Sequence, residues 1–184
     1  MSAQSAKQRS RYTYEDYLTF PDDFRCEIIN GQIYDMTPSP TARHQSVSGQ
    51  IHALVWTHLK EQAEVCQVFS APLDVVLAED QVVQPEVFIV CDRQKIRDHV
   101  FGAPEVIFEI SSPSTTLKDR REKMELYERS SVAEYFIIDP DAEFIEKYML
   151  KDEKYGRVGI YAGDDTFRID TIGLELTAKG LFVF

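Results

Sequence analysis

The chain reads as an α/β or α+β domain: a mixed β-sheet with helices on its flanks. Three observations carry that reading. Runs such as Val106–Ile110 and Val87–Cys91 are apolar on both faces, which marks central strands covered on both sides. The stretch from about Thr41 to Gln62 sets Val47, Ile51, Leu54, Val55 and Leu59 at helical spacing. The order along the chain is helix, two strands, helix, several strands, helix, then strands again.

The elements follow in turn. Residues 1–11 are polar and are expected to form a disordered tail ahead of a domain spanning residues 12–184. Thr13 is placed to cap a short helix from Tyr14 to about Phe20, closed by Pro21. Asn30-Gly31 between Cys26–Ile29 and Gln32–Met36 signals a hairpin, because both turn positions need positive φ. Thr37-Pro38-Ser39-Pro40 is a rigid connection into the long helix. Val65–Phe69, Leu73–Leu77, Val82–Val83 and Val87–Cys91 are β-prone, with a turn at residues 78–81. Arg93–Asp98 predicts a short helix. Glu105–Ser111 is a buried strand broken by Pro113, and Thr115 or Thr116 is expected to cap a helix running to about Arg129. Glu134–Ile138 is a strand stopped by Asp139-Pro140. Extended pieces near Phe144–Leu150, Arg157–Tyr161, Arg168–Ile169 and Leu174–Leu176 complete the chain.

The chain has 184 residues, 43% of them apolar, enough to build one proper core. Its formal charge of −11 argues against a sequence-independent DNA coat, which needs a basic surface. It leaves room for a nuclease, whose clustered carboxylates are themselves negative. Cys26, Cys66 and Cys91 are odd in number, with no C-x-x-C, so buried free thiols in a reducing compartment are expected. The N-terminus lacks an apolar leader and no 18-residue apolar run occurs, so neither secretion nor membrane insertion is expected, and cytoplasm is the default. There is no G-x-S-x-G elbow and no Gly-rich phosphate loop of either standard kind.

Four acidic residues stand in apolar strand contexts: Glu27, Asp74, Glu86 and Glu109. Glu109, inside Val-Ile-Phe-Glu-Ile, is costly to bury without a compensating cation. Strand alternation puts it on a face with Ile107 and Ser111. Carboxylates at the ends of central strands would share a cleft, and Mg²⁺ takes such ligands with waters and substrate phosphate. Beyond Glu109, Asp119, Lys123 and Tyr127 fall four apart on one helix face, which would bring an ammonium to the carboxylates. Taken singly, each carboxylate reads more simply as an edge-strand group in water or paired with arginine. A solvated mixed-charge face is the usual meaning of a run such as Lys118 to Lys123. Arg120 and Arg121 are expected to face solvent, where they could touch a phosphate backbone. His44, at the start of the long helix, could contact phosphate or support a metal. His52, His58 and His99 have no partner at ligand spacing.

Several blocks in order carry a resemblance to a known family. They are E-I-I-N-G-Q-I, P-S-P-x3-H, A-P-L-D-V-V-L, V-V-Q-P-E-V, G-A-P-E-V-I-F-E-I-S-S-P-S-T, K-x3-Y and E-Y-F-I-I-D-P. From about Tyr12 to Phe184 the chain resembles the Uma2-type (domain of unknown function 820) endonucleases of the PD-(D/E)xK, restriction-endonuclease-like superfamily. The resemblance implies a mixed sheet flanked by helices, Mg²⁺ (or Mn²⁺) as cofactor, and cleavage of DNA phosphodiester bonds by activated water. By position, Glu86 matches the Asp of the P-D element, and Glu109 the acidic residue of the (D/E)xK element. Glu86 and Glu109 would hold the metal. Ser111 stands where that motif's Lys would be, and Lys123 matches a lysine displaced onto the following helix. Glu27 and His44 match further polar positions, and Asp119 precedes Lys123 on the same helix.

One departure matters. Pro85-Glu86 replaces Pro-Asp, which moves the carboxylate by about 1 Å, a displacement able to cost about a hundredfold in rate. The alternative is therefore a weak or inactive relative that binds nucleic acid or a protein partner through the same cleft. A scaffold with no site would hold Glu86 and Glu109 far apart. A homodimer is expected, since two-fold dimers are the commonest oligomers and suit cutting of both strands.

Overall fold

Two β-sheets close on a shared apolar layer, and a helix covers the far side of the larger one. The computed structural model describes residues 11–183 except 22, 37, 38, 64 and 113–118, and only the backbone of Asp119. Residues 1–10, Pro113, the Thr115 and Thr116 caps, Lys118 and the Asp119 side chain therefore lie outside the described residues. Arg11, expected within the tail, is placed and pairs with Asp80.

Local signals set the first elements. Thr13 and Asp16 form a reciprocal capping box on helix α1 (Tyr14–Tyr17). Strands β1 (Cys26–Ile29) and β2 (Gln32–Asp35) form the hairpin, with Asn30 at φ 55° and Gly31 at φ 71°. Thr41 caps helix α2 (Ala42–Glu61), whose Val47, Ile51, Val55 and Leu59 are buried. Burial of each such side chain is worth about 1.5–3 kcal/mol.

The five-stranded sheet runs β2-β1-β5-β4-β7, where β4 is Val75–Ala78, β5 is Gln81–Val83 and β7 is Val100–Phe101. The six-stranded sheet runs β11-β10-β9-β8-β6-β3. Its members are β3 (Gln67–Ser70), β6 (Val87–Val90), β8 (Val106–Ile110), β9 (Glu134–Asp139), β10 (Phe144–Lys151) and β11 (Lys154–Ala162). Both sheets are mixed: β4 pairs β7, and β8 pairs β9, in parallel. A hairpin of β12 (Thr166–Ile169) and β13 (Leu174–Thr177) completes the strands. The core accordingly has two parts. One lies between the six-stranded sheet and α2, with Phe108 stacked on Phe136 at 4.7 Å. The other lies between the two sheets and holds Ile29, Val83, Phe88, Ile107, Tyr127 and Tyr135.

Two local expectations are corrected. Arg93–Asp98 is not a helix throughout: a 3-10 turn covers Arg93–Lys95, and Ile96 then bridges to Val100. Cys66 and Cys91 are not free thiols but a disulfide, while Cys26 is free and buried. The reason is register. Gln67 pairs with Val90 in the β3–β6 ladder, so one step further Cys66 faces Cys91. Nothing in their 25-residue separation reveals that. No helix among the described residues is long and apolar enough to cross a membrane.

Candidate active site

The register of the six-stranded sheet assembles the site. In the β6–β8 ladder Val87 pairs with Phe108, so one step further Glu86 stands opposite Glu109. Residues so opposed share a face, with Cβ atoms about 4.5–5.5 Å apart. Glu109 in turn pairs with Ile137, and Ile137 with Glu146 on β10. Glu86, Glu109, Ile137 and Glu146 thus form one row across four strands. The row lies on the face that carries Phe88, Ile107 and Tyr135, towards the smaller sheet.

Cations arrive from the connection between β8 and β9. This contains a π-helical turn, Asp119–Lys123, running into helix α3 (Met124–Arg129). Such turns recur at functional sites. Lys123 donates to Glu109 Oε1 at 2.8 Å, and Tyr127, one α-helical turn later, donates to the same oxygen at 2.7 Å. Lys123 also lies 2.9 Å from Glu27 Oε1. Glu27, on β1 of the smaller sheet, is fully buried and accepts the Gln84 amide at 3.1 Å. It therefore ties the lysine to the segment Gln84-Pro85-Glu86, where the chain passes from one sheet to the other. Both Lys123 and Glu109 are buried.

His44 reaches the row from the first turn of α2. Its Nε2 lies 3.0 Å from the Ile110 carbonyl and 3.3 Å from Glu86 Oε1. Burial pushes its pKa down, but the Glu86 carboxylate, the Ile110 carbonyl and the Glu109 charge outweigh this, and the net shift is upward. Glu86 is about a quarter exposed, so the row opens to solvent at its end.

Of the residues singled out from sequence, Glu27, Glu86, Glu109, Lys123 and His44 are brought together. Ser111 is buried and donates to the Ile138 carbonyl at 3.0 Å, which holds it to the neighbouring strand rather than to Glu109. Asp74 sits apart, engaged by Tyr17 and Gln84. Arg121 is exposed as expected, but Arg120 is not a solvent-facing arginine. It donates through both terminal nitrogens to buried Glu146, at 2.9 and 2.7 Å, because register places Glu146 beneath the π turn. His52 and His58 bond Ser70 Oγ and the Ile172 carbonyl, as structural histidines do. Tyr127, expected on the helix face of Lys123, belongs to the site's surroundings, as does Glu146, which the sequence does not mark. Spacing from Lys123 marks Tyr127; only strand pairing marks Glu146.

The donor set fits a hard divalent cation. Glu27, Glu86 and Glu109 converge on one lysine and one histidine, so carboxylates outnumber cations, and Glu86 and Glu109 are opposed like charges, which repel. Mg²⁺ and Mn²⁺ take carboxylate oxygens of this kind, with waters and substrate completing the shell. Among the described residues no group of three or more His, Cys, Asp or Glu is placed to hold a metal ion by itself.

The model of the Uma2 family, described as "Putative restriction endonuclease", matches residues 13–179. The chain belongs to the Uma2 family. An uncharacterized protein of Synechocystis sp. (strain ATCC 27184 / PCC 6803 / Kazusa), slr1290, is 25% identical over 173 residues, covering 91% of this chain and 90% of its own. The crystal structure of "a putative nuclease belonging to DUF820" from Anabaena variabilis ATCC 29413 superposes with a TM-score of 0.78. It covers 92% of this chain and 97% of that one at 19% identity, and so shows a shared fold. The sheets-and-helices architecture is that of a Uma2 nuclease-like fold, and family membership supports a nuclease-like function.

Proposed function

We propose that this Uma2 protein is a divalent-metal-dependent endonuclease that hydrolyses DNA phosphodiester bonds. The observation that carries the reading is the opposition of Glu86 and Glu109 in one register row, with Lys123 and Tyr127 both on Glu109 Oε1. Glu86 and Glu109 are the residues that would hold Mg²⁺ or Mn²⁺. Such an ion supplies charge stabilisation at the phosphoryl oxygens and a lowered pKa for the attacking water. The chain's own residues do the rest. Lys123 and Tyr127 fix the orientation of the Glu109 carboxylate. Glu27 holds Lys123 from the opposite sheet and, through the Gln84 amide, fixes the approach to Glu86. The Lys123 ammonium would stabilise the negative charge that grows on the phosphoryl group. His44 bridges Glu86 to the end of β8. Water adds to phosphorus, the P–O bond to one sugar breaks, and the departing oxygen is protonated. A two-fold dimer would present two such centres to the two strands.

One observation favours a second reading, in which the cleft binds nucleic acid or a protein without cutting. Glu86 is longer than the aspartate that the family pattern asks for, and His44 engages its Oε1. Nicking of supercoiled plasmid in Mg²⁺ or Mn²⁺ separates the two. The endonuclease reading expects nicking by the wild type that Glu109→Gln and Lys123→Met lower by at least about a hundredfold. Equal plasmid loss with wild type and both variants would overturn it. Retention of labelled DNA without nicking by the wild type would establish the second reading.

A further inference from the structure

A second polar cluster lies at the end of the five-stranded sheet from which the chain leaves for Glu86. It floors a cavity of about 400 Å³, within the range of small-molecule pockets. One wall is aromatic. Tyr17, Phe20 and Phe24 pack edge to face, with centroids 6.0 Å (Tyr17 to Phe20) and 5.5 Å (Phe20 to Phe24) apart. Pro72 lines the cavity too, and Phe24 is more than a third exposed. Buried Asp74 and Gln84 form the floor.

The floor is half satisfied. Asp74 Oδ1 accepts from Tyr17 Oη at 2.9 Å and from Gln84 Nε2 at 2.7 Å, and Gln84 Oε1 accepts from Arg25 at 3.0 Å. Asp74 Oδ2 accepts no hydrogen bond among the described residues. Its near neighbour is His99 Nδ1 at 3.5 Å, itself buried and without a hydrogen-bond partner among those residues. A fixed carboxylate acceptor thus sits beside a ring nitrogen that either donates or accepts, under a wall of aromatic faces. A buried ring nitrogen left in that state calls for a partner.

We propose that this cavity receives an unstacked nucleobase bearing an exocyclic amine, from the strand presented to the carboxylate row. The occupant follows from the lining. Planar rings favour a planar π-system, as in single-strand binding sites. An amine donor next to a ring nitrogen, as on adenine and cytosine, matches Asp74 Oδ2 and His99 Nδ1 in order. The place follows from the chain. Gln84 is two residues before Glu86, about 6–7 Å along an extended backbone, and its amide bonds Glu27. Exposed Arg97, two residues before His99, supplies a cation for the strand's phosphates. The inference rests on the DNA-cleavage reading, to which it adds substrate selection: unpaired or extrudable bases near the cut.

The test uses the Glu109→Gln protein, so that binding is read without cleavage. Anisotropy is measured with labelled dA12, dC12, dT12 and an abasic 12-mer. Expected is binding of dA12 or dC12 at least about tenfold tighter than the abasic strand. Phe24→Ala, placed in that protein, should erase the difference. Asp74→Asn keeps an oxygen for Tyr17 and Gln84 but turns an amide N–H into the cavity, so preference should move towards dT12. A merely structural Asp74 would lose affinity for all strands alike. Equal affinity for abasic and base-bearing strands, or base preference unchanged in both variants, overturns the proposal. The same variants in the otherwise wild-type protein keep the two readings apart. Plasmid nicking without base dependence refutes the pocket and spares the nuclease; base-dependent binding without nicking does the reverse.

Discussion

The six-stranded sheet carries a buried lysine between two acidic groups on each of its faces, and the two arrangements differ in what surrounds them. On the α2 side, Lys147 lies 2.9 Å from Glu134 Oε2, pairs with Asp170, and donates to the Arg168 carbonyl at 2.7 Å. Glu134 also accepts from the amides of Asp170 and Thr171, at 3.0 and 2.6 Å, and from the Thr171 hydroxyl. Lys147 stands over the Phe136 ring as well, at 5.6 Å. These bonds staple the β12–β13 hairpin to the sheet. On the other face, Lys123 is set between Glu109 and Glu27, but a further carboxylate, Glu86, faces Glu109 in register and reaches solvent. A buried lysine with two carboxylates is therefore not in itself a site. Surplus negative charge at an open strand end is what distinguishes the one proposed as a site.

The largest expected effect breaks the first cluster. Lys147→Met leaves Glu134 buried without its counter-charge, a loss of about 3–5 kcal/mol. Thermal unfolding should register it, while the nicking rate per folded molecule stays unchanged. An equal loss of nicking would erase the contrast between the faces. Next, Glu109→Gln removes one of two opposed like charges. It should abolish nicking, with a smaller fall in thermal stability than Lys147→Met because Glu27 still pairs Lys123. A smaller effect is expected from ligand linkage. Saturating Mg²⁺, at about a hundred times its dissociation constant, should stabilise the wild type by about 2.7 kcal/mol. The same shift should appear in Lys147→Met and vanish in Glu109→Gln.

The smallest effect concerns Glu146, the outer member of the row. Burial raises its pKa, but hydrogen bonds from Arg120 and Tyr148 outweigh this and the net shift is downward. A carboxyl lowered in the folded state adds stability above its unfolded pKa, and that stability is lost as pH falls through the folded value. Glu146→Gln should therefore flatten the acid limb of the stability profile and leave it unaltered near neutrality in shape. An acid limb identical to wild type would remove Glu146 from the account of how the π turn is held.

How far the sequence reveals this molecule depends on the range of the signal. The Asn30-Gly31 hairpin, the Thr13 cap and the body of α2 are local, and all are where their residues place them. Glu109 was legible because a carboxylate in an apolar strand is costly. Lys123 and Tyr127 were legible because four-residue spacing holds from the last residue of the π turn into the helix that follows. What escaped depends on register between distant strands. The Cys66–Cys91 bond, the row that adds Glu146, the pairing of Arg120 and the Lys147 staple each join residues with no shared periodicity. The split into two sheets escaped for the same reason: Gln84-Pro85-Glu86 reads as a break in a strand, whereas it carries the chain from one sheet to the next.

The central claim is that Glu86 and Glu109 together hold a divalent cation. Electron paramagnetic resonance of Mn²⁺ titrated into the folded protein addresses it without relying on catalysis. The account predicts a bound-Mn²⁺ signal in the wild type and in Lys147→Met, displaced by Mg²⁺ and lost in both Glu86→Gln and Glu109→Gln. Binding that persists undiminished in those two variants, or is absent from the wild type, would contradict it.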